Sequence, residues 1–214
     1  SRMRRNLALV FLLALSVMGW SSCKKKVYTV PTLQVFRQTL STSSLVDVEF
    51  DYKECTGYVI SSHEIFKSID TGSHWRRLLF ADTNIVLQKV CVMDSSIVYV
   101  LAHNAVYNKN IIYRTQDAGA TFQVINGGLY DYRAMEFVSP NIGYMESGGT
   151  VNATVNGGAS WNSTPGFPAG NMCDLIEFKD LTSGFAMSFA TNQLFMTTTG
   201  GNTWYTMAYS NANN

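Results

Sequence analysis

Charge is scarce in this chain. Of its 214 residues only 14% are Asp, Glu, Lys or Arg, and the net charge is +1. A nucleic-acid binder concentrates Lys and Arg on one face, and nothing of that kind is present, so no nucleic-acid partner is expected. Histidine is rarer still, with 3 residues, and proline has 4. His63, His74 and His103 have no His or Cys neighbour at metal-ligand spacing, and there is no Cys-x-x-Cys. Neither a metal site nor a cofactor is therefore expected. The three histidines read as surface residues, His74 in a hairpin, His63 in the turn 61–64 and His103 in a loop at 102–104. A nucleophilic serine would want a Gly-x-Ser-x-Gly elbow, which is missing. Beyond residue 30 no stretch has the Ala, Glu, Lys and Leu content of a long helix. The longest apolar run, Leu7 to Met18, is 12 residues, short for crossing a bilayer.

What the chain has is Gly, Ser, Thr and Asn in abundance, with 13% aromatics. That profile suits many short strands joined by tight turns. The first 22 residues differ. Arg2, Arg4 and Arg5 precede the apolar run, and Ser21-Ser22-Cys23 and three lysines follow it, the order of a secretory signal. The run ending at Cys23 resembles the lipobox of bacterial lipoproteins, with Trp20 where that family has Leu. The resemblance implies acylation of Cys23 and anchoring at an envelope membrane after export. Lys24 to Lys26 then read as a solvated tether near anionic head groups. Of the other cysteines, Cys55 and Cys91 hold near-equivalent places in adjacent repeats and would be the pair if a disulfide formed. The preferred reading is that Cys55, Cys91 and Cys173 are small buried hydrophobes.

A repeat organises the rest. Four segments align on Ser68, Asp70, Gly72 and Trp75; on Thr115, Asp117, Gly119 and Phe122; on Thr154, Asn156, Gly158 and Trp161; and on Thr197, Thr199, Gly201 and Trp204. Their aromatics lie 47, 39 and 43 residues apart, close to the period of one four-stranded propeller blade. A second landmark keeps the same phase: Phe50 before Gly57-Tyr58, Val92 before Val98-Tyr99, Phe137 before Gly143-Tyr144, Phe178 before Gly184-Phe185. Within each box the Gly suits a left-handed turn, the acid or amide accepts from turn N–H groups, and the hydroxyl adds a local bond. The aromatic opens the next strand and packs in the hairpin or between blades. The boxes are expected to fold turns, not to perform chemistry.

These boxes resemble the Asp-box, or BNR-type, repeat Ser-x-Asp-x-Gly-x-x-Trp. The first copy matches in full; Phe122, Asn156 and Thr199 depart from it. The family includes sialidases, sortilin-type receptors and photosystem II stability/assembly factor-like proteins, and 197–204 is most similar to the last group. The resemblance implies a β-propeller and an assembly or protein-binding role. The expected organisation is a signal peptide at 1–22, a tether at 23–32, an all-β propeller-like domain at 33–209 with about four blades of four antiparallel strands, and a frayed tail at 210–214. A further strand is expected at 35–40. A small propeller-like ring is the preferred reading of that count, with an open array or part of a larger propeller as the alternatives.

No catalytic residue is assigned. Sialidase chemistry in the family needs three arginines around a carboxylate, and beyond the leader only Arg37, Arg76, Arg77, Arg114 and Arg133 occur. Glu49, Glu136 and Glu177 recur before Phe50, Phe137 and Phe178, and such recurrence reads as structural. Tyr130, Asp131, Tyr132 and Arg133 form the candidate interaction loop, because Tyr and Arg are favoured at interface hot spots. The expected function is a non-enzymatic binding or scaffold protein of the cell envelope with a protein or glycan partner. The alternative is a degenerate carbohydrate-active enzyme of sialidase-like type or a glycan-binding propeller.

Overall fold

The computed structural model describes residues 39–40, 43–51, 55–80, 82–125, 132–168 and 170–207, all within the second of two compact units, Thr39–Asn214. The signal segment, Cys23, the tether, residues 35–38 of the expected extra strand, Tyr130, Asp131 and the tail lie outside the described residues. Thr39 and Leu40 are described and are not in a strand.

The strands form four antiparallel sheets of four, each a meander in chain order. The first holds β1 (Leu45–Phe50), β2 (Gly57–Ser61), β3 (Glu64–Ser68) and β4 (Arg76–Phe80). The second holds β5 (Ile85–Val92), β6 (Val98–Asn104), β7 (Lys109–Thr115) and β8 (Gln123–Val124). The third holds β9 (Tyr132–Phe137), β10 (Gly143–Ser147), β11 (Thr150–Thr154) and β12 (Asn162–Ser163). The fourth holds β13 (Leu175–Phe178), β14 (Gly184–Ser188), β15 (Gln193–Thr197) and β16 (Tyr205–Thr206). No helix occurs among the described residues. The protein is all-β and propeller-like, with one sheet for each repeat.

Each box closes the turn between the third and fourth strand of its sheet. The Ser68, Thr115, Thr154 and Thr197 hydroxyls accept from the N–H of Gly72, Gly119, Gly158 and Gly201 at 2.9, 2.9, 2.9 and 3.0 Å. The Asp70, Asp117 and Asn156 side-chain oxygens accept from the N–H of His74, Thr121 and Ser160 at 2.8 to 2.9 Å, and Thr199 Oγ1 does the same for Thr203 at 2.9 Å. Asn or Thr replaces Asp because the turn asks only for an acceptor oxygen at that point. Two successive left-handed residues complete each turn, as at Gly157 and Gly158 with φ of 67° and 85°.

The second landmark is a packing device. In the third sheet the Phe137 ring lies over Gly143, where even a methyl group would stand 2.7 Å from the ring. The ring meets Trp161 edge-on at 5.8 Å, and Tyr99 of the preceding sheet stacks on it at 3.6 Å, nearly parallel. The fourth sheet repeats this with Phe178 over Gly184, Trp204 at 6.1 Å and Tyr144 stacked at 3.8 Å. The box aromatic therefore packs within its own sheet, while Tyr99 and Tyr144 bridge to the next. The edge-on contacts with Trp161 and Trp204 each add about 0.5–1.5 kcal/mol beyond the area they bury.

Three apolar clusters fill the three joints between successive sheets. Tyr58, Ile60 and Ile65 pack with Val90 and Val92; Tyr99, Leu101 and Ile112 with Met135 and Phe137; Tyr144 and Val151 with Ile176 and Phe178. The first strands lie side by side in the order β1, β5, β9, β13, and β13 has no comparable packing on β1. Among the described residues the row of sheets is thus open.

The cysteines split. Cys91 and Cys173 are buried and free, as expected, but Cys55 is free and exposed. Cys55 sits between β1 and β2 at φ 59°, its carbonyl accepting from Thr71 N–H at 3.0 Å. It serves as a turn residue, and Cys91 faces the joint between the second and third sheets, so repeat phase does not pair them. His103 belongs to β6 instead of a loop, its Nδ1 2.8 Å from Asn110 Oδ1 across the β6–β7 pair.

Candidate binding cleft on the first strands

The first strands carry a repeated irregularity. In β1 Val46 is an extra residue between Leu45 and Asp47, and in β5 Gln88 is one between Leu87 and Lys89. In β9 Arg133 and Ala134 together face the single Glu146 of β10. Such bulges bend a strand and re-aim the side chains beside them. All three places open onto one cleft of about 620 Å³, lined by Val46, Asp47, Gln88, Lys89, Tyr132 and Arg133 among others.

Opposite charges alternate along this wall. Asp47 accepts from Val90 N–H at 3.0 Å, and Glu49 from Val92 N–H at 3.1 Å. Lys89 Nζ reaches Glu136 at 3.0 Å, and Arg133 reaches Asp174 at 3.4 Å. Asp174 also accepts from Phe189 N–H at 2.8 Å. Each link but the last ties one sheet to the next. Burial pushes the Glu49 carboxyl up to about 7, Glu136 nearby adds to the rise, and the Val92 N–H opposes it. Burial also raises the Glu136 carboxyl, against the pull of Lys89. Burial holds the Cys91 thiol well above its ordinary value, which keeps it un-ionised and inert.

The structure places the sixteen box residues at the turns between third and fourth strands, and none lines this cleft. Of the expected interaction loop, Tyr132 and Arg133 begin β9 and reach the cleft; Tyr132 is buried and Arg133 exposed. Glu49 and Glu136 bind the neighbouring sheet, Glu49 through a backbone N–H and Glu136 through Lys89, and Glu177 is exposed. Sequence reasoning missed Asp47, Gln88 and Lys89. Their only signal is that they stand where the two-residue alternation of a strand breaks. His74 is exposed and bonds Asp70 of its own box at 2.6 Å, and His63 Nδ1 lies 2.9 Å from the Ile85 carbonyl. No group of three His, Cys, Asp or Glu among the described residues is placed to hold a metal.

No family model matches the sequence, and no curated protein matches it. Solved structures do. A structure of YCF48 bound to D1 peptide superposes with a TM-score of 0.64 at 13% identity, over 82% of this chain and 56% of that one. YCF48 from Cyanidioschyzon merolae gives 0.62 at 17%, over 79% and 58%. The GH74 enzyme of Niastella koreensis gives 0.63 at 16%, over 81% and 31%. The likeness is one of fold. The chain spans a little over half the length of the YCF48 chains and about a third of the GH74 chain.

Proposed function

We propose that this protein is a non-enzymatic binding or assembly scaffold of the cell envelope, built on Asp-box repeats and tethered through acylated Cys23. Its partner is a protein segment lying along the first-strand cleft. The observation that carries the proposal is the use of the cleft's charged groups. Asp47 and Glu49 accept from the backbone of β5, and the Lys89–Glu136 and Arg133–Asp174 pairs join further sheets. Side chains so engaged are held in fixed positions, which suits recognition. Arg133 and the bulge residue Gln88 stay exposed for contact. The YCF48 structure with a bound peptide supports a polypeptide partner on this type of fold.

The test is a photo-crosslinking residue at Gln88 of the full chain in intact cells. A discrete protein adduct that Arg133→Glu removes is the expected outcome, and adducts unaffected by that change would count against the cleft. For the anchor, Cys23→Ala should release the protein from membranes, and a variant that stays membrane-bound would refute it.

A second reading, a carbohydrate-active enzyme, rests on Glu49. A carboxyl titrating near 7 is what a general acid needs. Turnover of sialosides, aryl glycosides or xyloglucan that Glu49→Gln abolishes would establish it in place of the scaffold.

A further inference from the structure

The niche beside the first box is furnished differently from its copies. A cavity of about 260 Å³ opens between the end of β3 and the box, lined by Lys67, Ile69, Asp70, His74, Trp75 and Arg76. The second sheet has the same niche, about 140 Å³, lined by Arg114, Gln116, Asp117, Thr121 and Gln123. The fold therefore makes the hollow, and the residues between the turn-forming positions decide what can fill it. In the second sheet the cation Arg114 stands opposite the neutral Gln123. The third and fourth sheets put Ala153 opposite Asn162 and Met196 opposite Tyr205. The first sheet alone sets two cations, Lys67 and Arg76, directly across from each other. Like charges so placed destabilise a sheet.

Neither cation has an ion pair among the described residues. Lys67 Nζ donates to the Ser95 and Ala118 carbonyls at 3.3 and 3.0 Å and stands 5.4 Å from the centre of the Tyr58 ring, all uncharged partners. Burial and the Arg76 charge both lower its pKa. The one acid of the niche, Asp70, is committed to its own box. Its carboxylate accepts from the His74 N–H at 2.8 Å, His74 Nδ1 at 2.6 Å and the Ser68 hydroxyl at 2.8 Å, bonds that hold it down to about 2. An ionised carboxylate only accepts, so Nδ1 carries the proton and Nε2 is left for another partner. Asp94 and Asp117, the acids near Tyr58, are bound to backbone N–H groups of their own turns and do not line the cavity.

We propose that this niche binds a small organic oxyanion, a phosphate or carboxylate group carried on an apolar body. Arg76 supplies a planar fork of donors for two oxygens, and Lys67 a charge held in place by the second sheet. The half-buried Trp75 and the exposed Ile69 form the apolar side. The volume is below the about 300–1,000 Å³ of a drug-sized site, so a single group of side-chain size fits. An anion here relieves the repulsion between the opposed cations. The site lies on β3, β4 and their turn, and does not depend on the first-strand cleft.

The experiment is a titration of the full chain with phenyl phosphate, with benzoate and, as the uncharged control, with phenol. It is followed through the indole N–H resonances of the 4 tryptophans, and Trp75→Phe assigns the one that matters. Saturable movement of the Trp75 resonance by either anion, and none by phenol, is the expected result. Arg76→Gln should weaken binding about tenfold, the worth of a charged hydrogen bond. Arg77→Gln is the control: that side chain pairs with Glu64 at 3.2 Å and does not line the niche, so affinity should change by less than about twofold. Both arginines are exposed, and an unchanged circular dichroism spectrum verifies folding. No saturable movement at about 10 mM of either anion overturns the proposal, because any specific site would be filled there. Equal movement by phenol also overturns it, since the niche would then be an apolar pocket. So do equal losses in the two arginine variants, which would show general attraction to surface charge.

Discussion

Gly143 and Gly57 hold the same place in two sheets, yet the same substitution should cost very different amounts. At Gly143 an alanine Cβ would stand 2.7, 2.8 and 2.9 Å from three carbons of the Phe137 ring. The ring has nowhere to go. Tyr99 covers its other face at 3.6 Å, Trp161 closes its edge, and the Tyr99 hydroxyl is held by the Pro140 carbonyl at 2.6 Å. Overpacking of this kind costs about 1–3 kcal/mol, offset by about 0.4–1 kcal/mol because alanine restricts the unfolded chain. A net loss of about 1–2 kcal/mol lowers the melting temperature by about 3–6 °C for a domain of this size. At Gly57 the added methyl collides with Phe50 just as directly, but the outer face of Phe50 is open and the ring can swing toward solvent. Gly57→Ala should therefore stay within about 0.5 kcal/mol of the parent. The assay is thermal and urea unfolding of the full chain followed by tryptophan fluorescence, at concentrations where it is monomeric. Gly184→Ala, under the Tyr144–Phe178 stack, should behave like Gly143→Ala. Equal losses at positions 57 and 143 would refute the reasoning, since they would mean that Phe50 is as confined as Phe137.

Further predictions concern charge and the fourth box. The folded protein keeps the Glu49 proton up to about pH 7, whereas the unfolded chain releases it near its ordinary 4.5. Stability should accordingly fall as pH rises through that window, by up to about 3 kcal/mol, and Glu49→Gln should flatten this part of the profile in urea titrations between pH 4 and 8. In the fourth box the Thr197 and Thr199 hydroxyls are 3.5 Å apart, against 2.8 Å from Thr115 to Asp117. Thr199→Asp should shorten that link and stabilise the protein by about 0.5–1 kcal/mol, read as a raised urea midpoint at unchanged slope.

The sheets were legible in the sequence because two markers shared one period, and each marker has a local physical cause. The boxes satisfy their own turns, so Ser68, Thr115, Thr154 and Thr197 can be found without knowing what surrounds them. The bulges were not legible, because Val46 and Gln88 are ordinary strand residues whose irregularity is set by the partner strand. The exposure of Cys55 was hidden for a similar reason: only the turn geometry at φ 59° distinguishes it from a core cysteine.

In the second sheet the landmarks change together. There Val98 replaces the Gly, Val92 the Phe and Phe122 the Trp. A strand residue with a side chain leaves no room for a ring above it, and a smaller first-strand residue needs less from the box aromatic. The three positions change size together because they fill one volume, so their degeneracy is compensated packing and carries no information about a ligand. The cleft behaves oppositely. Opposite Ile60, Leu101 and Met187 the first strands offer Asp47, Lys89 and Leu175, and opposite Glu146 they offer Arg133 and Ala134. Equivalent sites that differ in charge, size and polarity are not held by the architecture. In a chain built from copies of one unit, the positions where the copies agree fold it, and those where they disagree beside an open cleft are where selection by a partner can act.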